Sequence, residues 1–305
     1  MTSSPYPYQI QVQTERTENM SLQTDNYRIT RKCHGQPLVD FLSQTLRLSK
    51  RAAKNVLDRR NVYVNGQRIW MAKHPLQTGD IVSLPQTLHL VGAGKNGKKN
   101  DKIAILWKDE HYLIIAKPAG LLSNGAGSVE YRLQQQRQDP TLRIVHRLDR
   151  DTSGCLILAR SKPDFDAILP LFQQRLISKT YHAIVHGRME KGQQRISKPL
   201  QGHTAVSHVR VLDTCRQASH LAIKIETGRT HQIRIHLSSI RHPVLGDPRY
   251  KSPQEDALAL RAAVPRQMLH ARVLQFPHPF TEERIRIEAP LPPDFKACLQ
   301  HLSLT

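Results

Sequence analysis

Apolar residues recur along this chain with two different periods, and the change of period divides it. Between residues 35 and 85 the spacing starts helical: Leu38, Phe41, Leu42 and Leu46 follow Pro37, a residue suited to a first helical turn. Ser49 is placed to cap a second helix, KRAAKNVLDRR, which carries Lys50, Arg51, Lys54, Arg59 and Arg60 against one acid, Asp58. The period then drops to two in VYVNGQRI, where Asn65-Gly66 is a strong hairpin signal. LQTGDIVSL adds a turn at Thr78-Gly79-Asp80 and a closing strand. Two short helices and a small sheet with one basic helix face suit contacts to phosphates, which position a protein without reading sequence.

From residue 102 onward the period of two dominates. IAILW and YLIIAK flank the charged turn KDEH as a hairpin would, and CLILA, YHAIVHG, AVSHVRVL, HLAIKIE, ARVLQF and ERIRIEA read as further strands. Helical spacing is confined to about 162–176, 230–240 and 254–263, and Pro277, Pro279, Pro290, Pro292 and Pro293 punctuate the end. This predicts an α+β chain, with helices packed on a large, mostly antiparallel mixed sheet, over a doubly wound parallel one. The expected division is a disordered polar tail (1–30), a small α+β module (31–86), a flexible linker (87–101) and a large domain (102–305). GAGKNGKK, residues 92–99, imitates a phosphate-binding loop. However, Lys99 stands where Ser or Thr should hold magnesium and no amphipathic helix follows, so it reads as part of the linker.

Charge narrows the partners. Forty-five Lys and Arg against 25 Asp and Glu leave a net +20 over 305 residues, which points to a polyanion, nucleic acid before membrane, because no long apolar or basic amphipathic segment is present. The four cysteines lie far apart without ligand spacing, and no H-E-x-x-H occurs among the sixteen histidines. Neither a zinc site nor a disulfide framework is expected, and the composition suits a reducing cytosol. The first 27 residues carry Glu15, Glu18 and Asp25 and fit neither a secretory signal nor a transit peptide.

Candidate chemistry gathers in HRLDRDTSG, His146 to Gly154, which runs directly into the apolar CLILA. Holding Asp149 and Asp151 among two arginines and a histidine against a core strand requires compensation of the carboxylates. The loop is therefore either a structural ion network or a reaction site. Three more stretches share its character: AKPAGLLS with Lys117, KTYHAIVHG with Lys179 and Tyr181, and TGRTHQIRIHL, where Gly228 turns the chain and Thr230 is placed to cap a helix carrying His231 and Arg234. HPVLGDPRY and MLHARVLQFPHP add polar loop residues.

This set, in this order over nearly all of residues 103–295, closely resembles the RluA-type pseudouridine synthases, and HRLDxDTSG with TGRTHQIRxHL carries most of the likeness. Ahead of it, L-x-x-F-L, L-S-K-R, V-x-V-N-G and L-x-x-G-D resemble the S4-like RNA-binding domain that precedes the catalytic domain in many members. The resemblance implies a pseudouridine synthase fold, isomerisation of uridine within RNA, and no metal or cofactor. It implies that Asp149 is the catalytic carboxylate, Tyr181 the tyrosine against the target base, and Arg234 the arginine paired with the aspartate. Arg147 matches the motif arginine associated with RNA. With Arg229, Lys50, Arg51 and Lys54 it makes the expected RNA-binding set, while Asp151 is expected to be structural. The segment between Leu122 and Arg143 looks individual to this chain.

The chemistry is consistent with these residue types. Moving a uracil from nitrogen to carbon attachment needs no redox partner. It needs a carboxylate at the anomeric centre and a pocket that accepts a base taken out of its stack. Large-subunit ribosomal RNA is the favoured target and transfer RNA the alternative, with a cytoplasmic monomer expected. Two readings compete: an RNA-binding assembly factor without activity, and a sugar transferase using Asp149-Arg150-Asp151 as a D-x-D metal site. The second lacks a nucleotide-binding pattern, and kinase similarity through His-Arg-x-Asp lacks D-F-G and a usable glycine loop.

Overall fold

The computed structural model describes residues 24–46, 48–58, 62–85, 103–250, 258, 264 and 266–305, and the chain divides into two compact units, Met1–Gly97 and Lys98–Thr305. In the first unit, strands β1 (Thr24–Arg28), β2 (Tyr63–Val64), β3 (Gln67–Arg68) and β4 (Ile81–Pro85) form an antiparallel sheet in the order β1-β4-β2-β3. Helices α1 (Leu38–Thr45) and α2 (Lys50–Asp58) pack on it. The helical spacing seen in the sequence buries Leu38, Phe41 and Leu42 of α1 with Ala53, Val56 and Leu57 of α2, against Val64, Val82 and Leu84. Pro37 stands one position ahead of α1, as its cap residue, rather than in its first turn.

Asn65 and Gly66 both take positive φ, 52° and 76°, as the tight hairpin demands. Asn65 is fixed further by donating to Asp80 (2.8 Å) and accepting from the Ile81 N–H (2.9 Å). One expectation is corrected here. The segment 24–30 is not a tail: β1 pairs with β4 along its whole length, and Tyr27 and Ile29 enter the core. Its sequence, TDNYRIT, alternates too few apolar residues to signal a strand by itself, so its order comes from the edge of β4. The expected linker and its GAGKNGKK decoy, together with residues 1–23, Arg59 and Arg60, lie outside the described residues.

The second unit is built on a ten-stranded mixed sheet. Its strands are β5 (Ala104–Lys108), β6 (Tyr112–Lys117), β7 (Arg143–Ile144), β8 (Ser153–Ala159), β9 (Ser178–His186), β10 (Gln193–Ile196), β11 (Ser207–Thr214), β12 (Ala218–Ile225), β13 (Leu269–Pro277) and β14 (Arg284–Glu288). The main path runs β10-β11-β12-β9-β13-β8-β6-β5, with β14 on β13 and β7 on β8. Among these pairings only β13 with β8 is parallel. CLILA becomes the centre of β8, buried along its full length, which is why it shows no alternation.

Among the described residues, four full helices accompany this sheet: α3 (Val129–Arg137), α4 (Lys162–Gln173), α5 (Gln232–Ser239) and α6 (Pro293–His301). Helices α3 and α5 cover one face of the sheet, where Val129, Leu133, Ile233 and Leu237 join Leu156, Tyr181, Ala183 and Ile223. On the opposite face α4 packs Ile168 against Tyr112, Ile114 and Ile157, and α6 packs Phe295 and Leu299 against Ile184 and Ala218. Neither α3, in the segment that looks individual, nor α6, among the terminal prolines, is expected from the sequence pattern. Pro293 opens α6, a position where its missing N–H costs nothing. The helix expected over 254–263 lies outside the described residues except for Leu258.

The parallel pairing places Gly154 opposite Ala271 and His270 opposite Ser153. Gly154 has φ of 116°, and a Cβ on it would run into the Ala271 carbonyl. The glycine that ends HRLDRDTSG is thus required by the close approach of β13 to β8, which anchors the motif loop to the sheet.

Candidate active site

The HRLD loop leaves β7 and returns through a turn in which the Asp149 carbonyl accepts from the Thr152 N–H (3.1 Å). Its position is set by the loop after β6. Ser123 Oγ donates to the Leu148 carbonyl (2.8 Å) and accepts from the Leu148 N–H (3.0 Å), and the Gly120 N–H donates to the Arg150 carbonyl (2.9 Å). Lys117, 1% exposed, directs its Nζ to the carbonyls of Pro118 (2.9 Å), Leu121 (2.7 Å) and Arg150 (2.9 Å). Burial pushes this amine down to about 7, against the pull of Asp151 and Asp149. Three acceptors use all three protons of an ammonium, so Lys117 orients the turn.

Behind the loop, Arg266 spans Asp294 through two bonds (2.7 and 3.1 Å) and donates to the Asp151 carbonyl (3.0 Å). Gln267 donates to Thr152 Oγ1 (2.8 Å). Asp149 is thereby held between two layers of hydrogen bonds while its own carboxylate stays free to face α5.

There it meets Arg234. Arg234 Nη1 donates to Asp149 Oδ2 at 3.0 Å, and the same guanidinium binds the fully buried Asp247 through Nε to Oδ2 (2.6 Å) and Nη2 to Oδ1 (2.8 Å). Burial alone would lower the Arg234 pKa; the bonds to Asp247 and then Asp149 hold it above its ordinary value. Tyr250 lies beneath the guanidinium (5.2 Å to the ring centroid) and bonds His231 Nδ1 (3.0 Å). His231 Nε2 stands 3.9 Å from Asp149 Oδ1, and burial followed by the Arg234 charge lowers its imidazolium pKa.

The start of α5 differs from expectation. Thr230 is not its cap; His231 holds that position with a left-handed φ of 54°, and its side chain makes no capping bond. Gln232 takes over instead, its Oε1 accepting from the Arg229 N–H (3.1 Å) and Thr227 Oγ1 (2.7 Å) while its Nε2 donates to the Val206 carbonyl (2.9 Å). With the turn closed by Gln232, His231 is released to face Asp149.

Tyr181, Asp149, Arg147, Arg229, His231 and Arg234 line one cleft. Tyr181 is buried on β9, opposite Ile223 of β12 and Ala271 of β13. Burial and then Asp149 raise its pKa, so its ring stays neutral, and no hydrogen bond engages its hydroxyl among the described residues. Arg147 and Arg229 are exposed at the rim. Of the expected set, five residues therefore meet in one place. Lys50, Arg51 and Lys54 lie on α2 of the first unit, where Lys50 pairs with Asp40 at 2.9 Å and Lys54 is exposed; the Arg51 side chain lies outside the described atoms.

Asp247 and Tyr250, which hold Arg234, are the residues that motif reading missed. HPVLGDPRY signals a turn, but nothing in it says that the turn folds beneath α5. The Asp149-Arg150-Asp151 metal reading fits poorly, because the Asp149 carboxylate is already committed to a guanidinium.

His146 opens the motif in a structural role. Its Nε2 accepts from the Ile157 N–H at 3.2 Å, a bond only neutral imidazole can accept. Burial, with Lys179 nearby, pushes it down to about 3. The unfolded chain takes a proton near pH 6.5 that the folded chain refuses, so this residue's contribution is present above 6.5 and is lost as pH falls. Between pH 6.5 and 5.5 it is expected to remove about 1 kcal/mol of stability. Urea unfolding of the parent and of His146→Gln checks this: equal slopes against pH in the two proteins would refute it.

Compared with known proteins, residues 111–239 match the sequence pattern of the RNA pseudouridylate synthase family. The ribosomal large subunit pseudouridine synthase D of Pseudomonas aeruginosa is 37% identical over 223 residues, 64% of this chain and 70% of that protein. Synthase C of Vibrio cholerae is 30% identical over 284 residues, 84% of this chain and 90% of that one. Among solved structures, human RNA pseudouridylate synthase domain containing 4 superposes with a TM-score of 0.55 at 26% identity, over 66% of this chain and 94% of that chain.

Proposed function

The chain belongs to the RNA pseudouridylate synthase family, and from that premise we propose that it converts uridine to pseudouridine in large-subunit ribosomal RNA, with Asp149 as the reacting carboxylate. The observation that carries the site assignment is the 3.0 Å pair between Asp149 and a buried Arg234 in a cleft shared with Tyr181. The relatives in Pseudomonas aeruginosa and Vibrio cholerae support the choice of RNA.

The reaction breaks the bond from ribose C1′ to uracil N1, turns the base, and joins C1′ to C5. The C5 proton is lost and N1 gains one, so the product is an isomer. A carboxylate can serve it either by adding to C1′ or by taking a proton from the sugar, and both require Asp149 beside the ribose. Arg234, held by Asp247, fixes the carboxylate without closing the cleft. The Tyr181 ring gives an uncharged face against which a base removed from its stack can turn. Arg147 and Arg229 at the rim are suited to the flanking phosphates. The first unit, read as S4-like, adds Lys50, Arg51 and Lys54 as sequence-independent contacts. A cytoplasmic monomer is the working arrangement.

Pseudouridine mapping of total RNA from cells with and without the gene tests this. Sites in large-subunit ribosomal RNA are expected to vanish on deletion and to return with the intact gene. Unchanged ribosomal RNA with lost transfer RNA sites would redirect the target, and no lost site anywhere would count against the reaction itself.

A further inference from the structure

We propose that the sheet face opposite Asp149 is a second docking surface for the RNA backbone, centred on Arg195, Arg210 and Lys224. Side chains on neighbouring positions of a strand point to opposite faces. Tyr181, Ile223, Val209 and Ile225 belong to the core on the Asp149 side, so Thr180, Ala222, Lys224, His208 and Arg210 project from the other. The register then sets the cations in order. Arg195 of β10 lies opposite His208 of β11, His208 opposite Lys224 of β12, and Lys224 opposite Thr180 of β9. This single row crosses four strands, about 14 Å at the usual strand spacing. Arg210 stands one pleat further on, between Gln193 and Ala222.

Helices α4 and α6 cover other parts of this face, packing through Ile168 and through Phe295. On β10, β11 and β12, Gln193, Gln194, Arg195, His208, Arg210 and Lys224 are exposed and line a shallow basin. Among the described residues, the side chains of Arg195, Arg210 and Lys224 make no ion pair or hydrogen bond. Of the carboxylates nearby, Glu226 is held by His208 of the same row (2.6 Å) and by Arg175 (3.7 Å), with Arg195 acting on it at longer range, and Asp213 accepts from the Thr305 N–H (2.8 Å). Three cations without a direct carboxylate partner, on adjacent strands, repel one another, and a polyanion relieves that repulsion by releasing its own counterions. No large apolar side chain is exposed on this patch, which disfavours a protein or membrane partner. Gln193, opposite Arg210, offers a donor and an acceptor to ribose hydroxyls.

The inference rests on the proposed action on RNA and adds a size requirement. The basin opens at β10, the terminal strand of the sheet's main path, so an RNA held in the Asp149 cleft must pass that edge to reach it. A large structured RNA can do so; a short stem-loop cannot.

The test uses the full chain with Arg195→Gln/Arg210→Gln/Lys224→Gln and two probes: a transcript of large-subunit ribosomal RNA and a short stem-loop carrying the modified uridine. On the long transcript Kd and KM are expected to rise about tenfold with kcat unchanged. The slope of log affinity against log salt should fall by about 2.7, near 0.9 for each lost phosphate contact. On the stem-loop all values should match the parent. Ultraviolet cross-linking of the unaltered protein to the long transcript provides an arm that needs no variant, with cross-linked peptides expected from β10 and β11. Parental Kd and salt slope in the triple variant, or cross-links confined to peptides around Asp149, would overturn the proposal. A parent that binds the transcript but forms no pseudouridine would sink the reaction reading, and Kd would still decide the docking surface.

Discussion

Asp149→Asn is expected to lower turnover by about 10³-fold or more while leaving RNA affinity within about threefold of the parent. The carboxamide has the same shape but neither adds readily to an anomeric carbon nor accepts a proton from a sugar, so both routes fail together. The partner side argues for a selective loss. Arg234 keeps its two bonds to Asp247 and stays in place, and Arg147 and Arg229 at the rim are untouched. Single-turnover pseudouridine formation at saturating RNA, with a filter-binding Kd alongside, separates the outcomes. Turnover within tenfold of the parent would remove Asp149 from the chemistry. An equal loss of binding and turnover would make it a structural partner of Arg234.

Asp247→Ala is expected to be the most damaging substitution to stability away from the apolar core, costing about 3–5 kcal/mol. It leaves the guanidinium of Arg234, a residue only 5% exposed, without its bidentate partner. It also strips the acceptor from the N–H groups of Arg249 (2.8 Å) and Tyr250 (3.2 Å), which shape the turn. Arg234 would then swing toward Asp149 as its remaining carboxylate, and a displacement on the scale of 1 Å costs about 10²-fold in rate. Urea unfolding measures the first effect and turnover well below the melting transition the second. A loss under about 1 kcal/mol would mean that Asp149 and Tyr250 suffice to hold the arginine.

Buried arginines recur behind this site. Arg234 locks α5 to the turn before Tyr250, and Arg266 locks the motif loop to α6 through Asp294. Each satisfies most of its five donors with fixed acceptors, which suits a planar fork and would not suit lysine. The result is a carboxylate placed by hydrogen bonds from both sides, with little freedom to turn from the cleft.

Local properties of the sequence determined the elements. Period-two runs became β5, β6, β9, β11, β12, β13 and β14, helical spacing became α1, α4 and α5, and Asn65-Gly66 turned the chain as its left-handed preference requires. HRLD, KTY and HQIR nominated Asp149, Tyr181 and Arg234 through their resemblance to pseudouridine synthase motifs; the carboxylates set among cations beside a core strand, a costly arrangement visible in one dimension, by themselves left the loop open between an ion network and a site. What the sequence could not decide depends on distance in space. Strand β1 is ordered by the edge of β4, and α3 and α6 take their faces from the sheet they cover rather than from their own pattern. The cap of α5 passed from Thr230 to His231 because Gln232 closes the turn from within. Asp247 became the anchor of Arg234 only when a turn thirteen positions later folded beneath the helix. Propensity and spacing act over a few residues, whereas burial and charge pairing answer to whatever the completed fold brings near, and the site was finished by the latter.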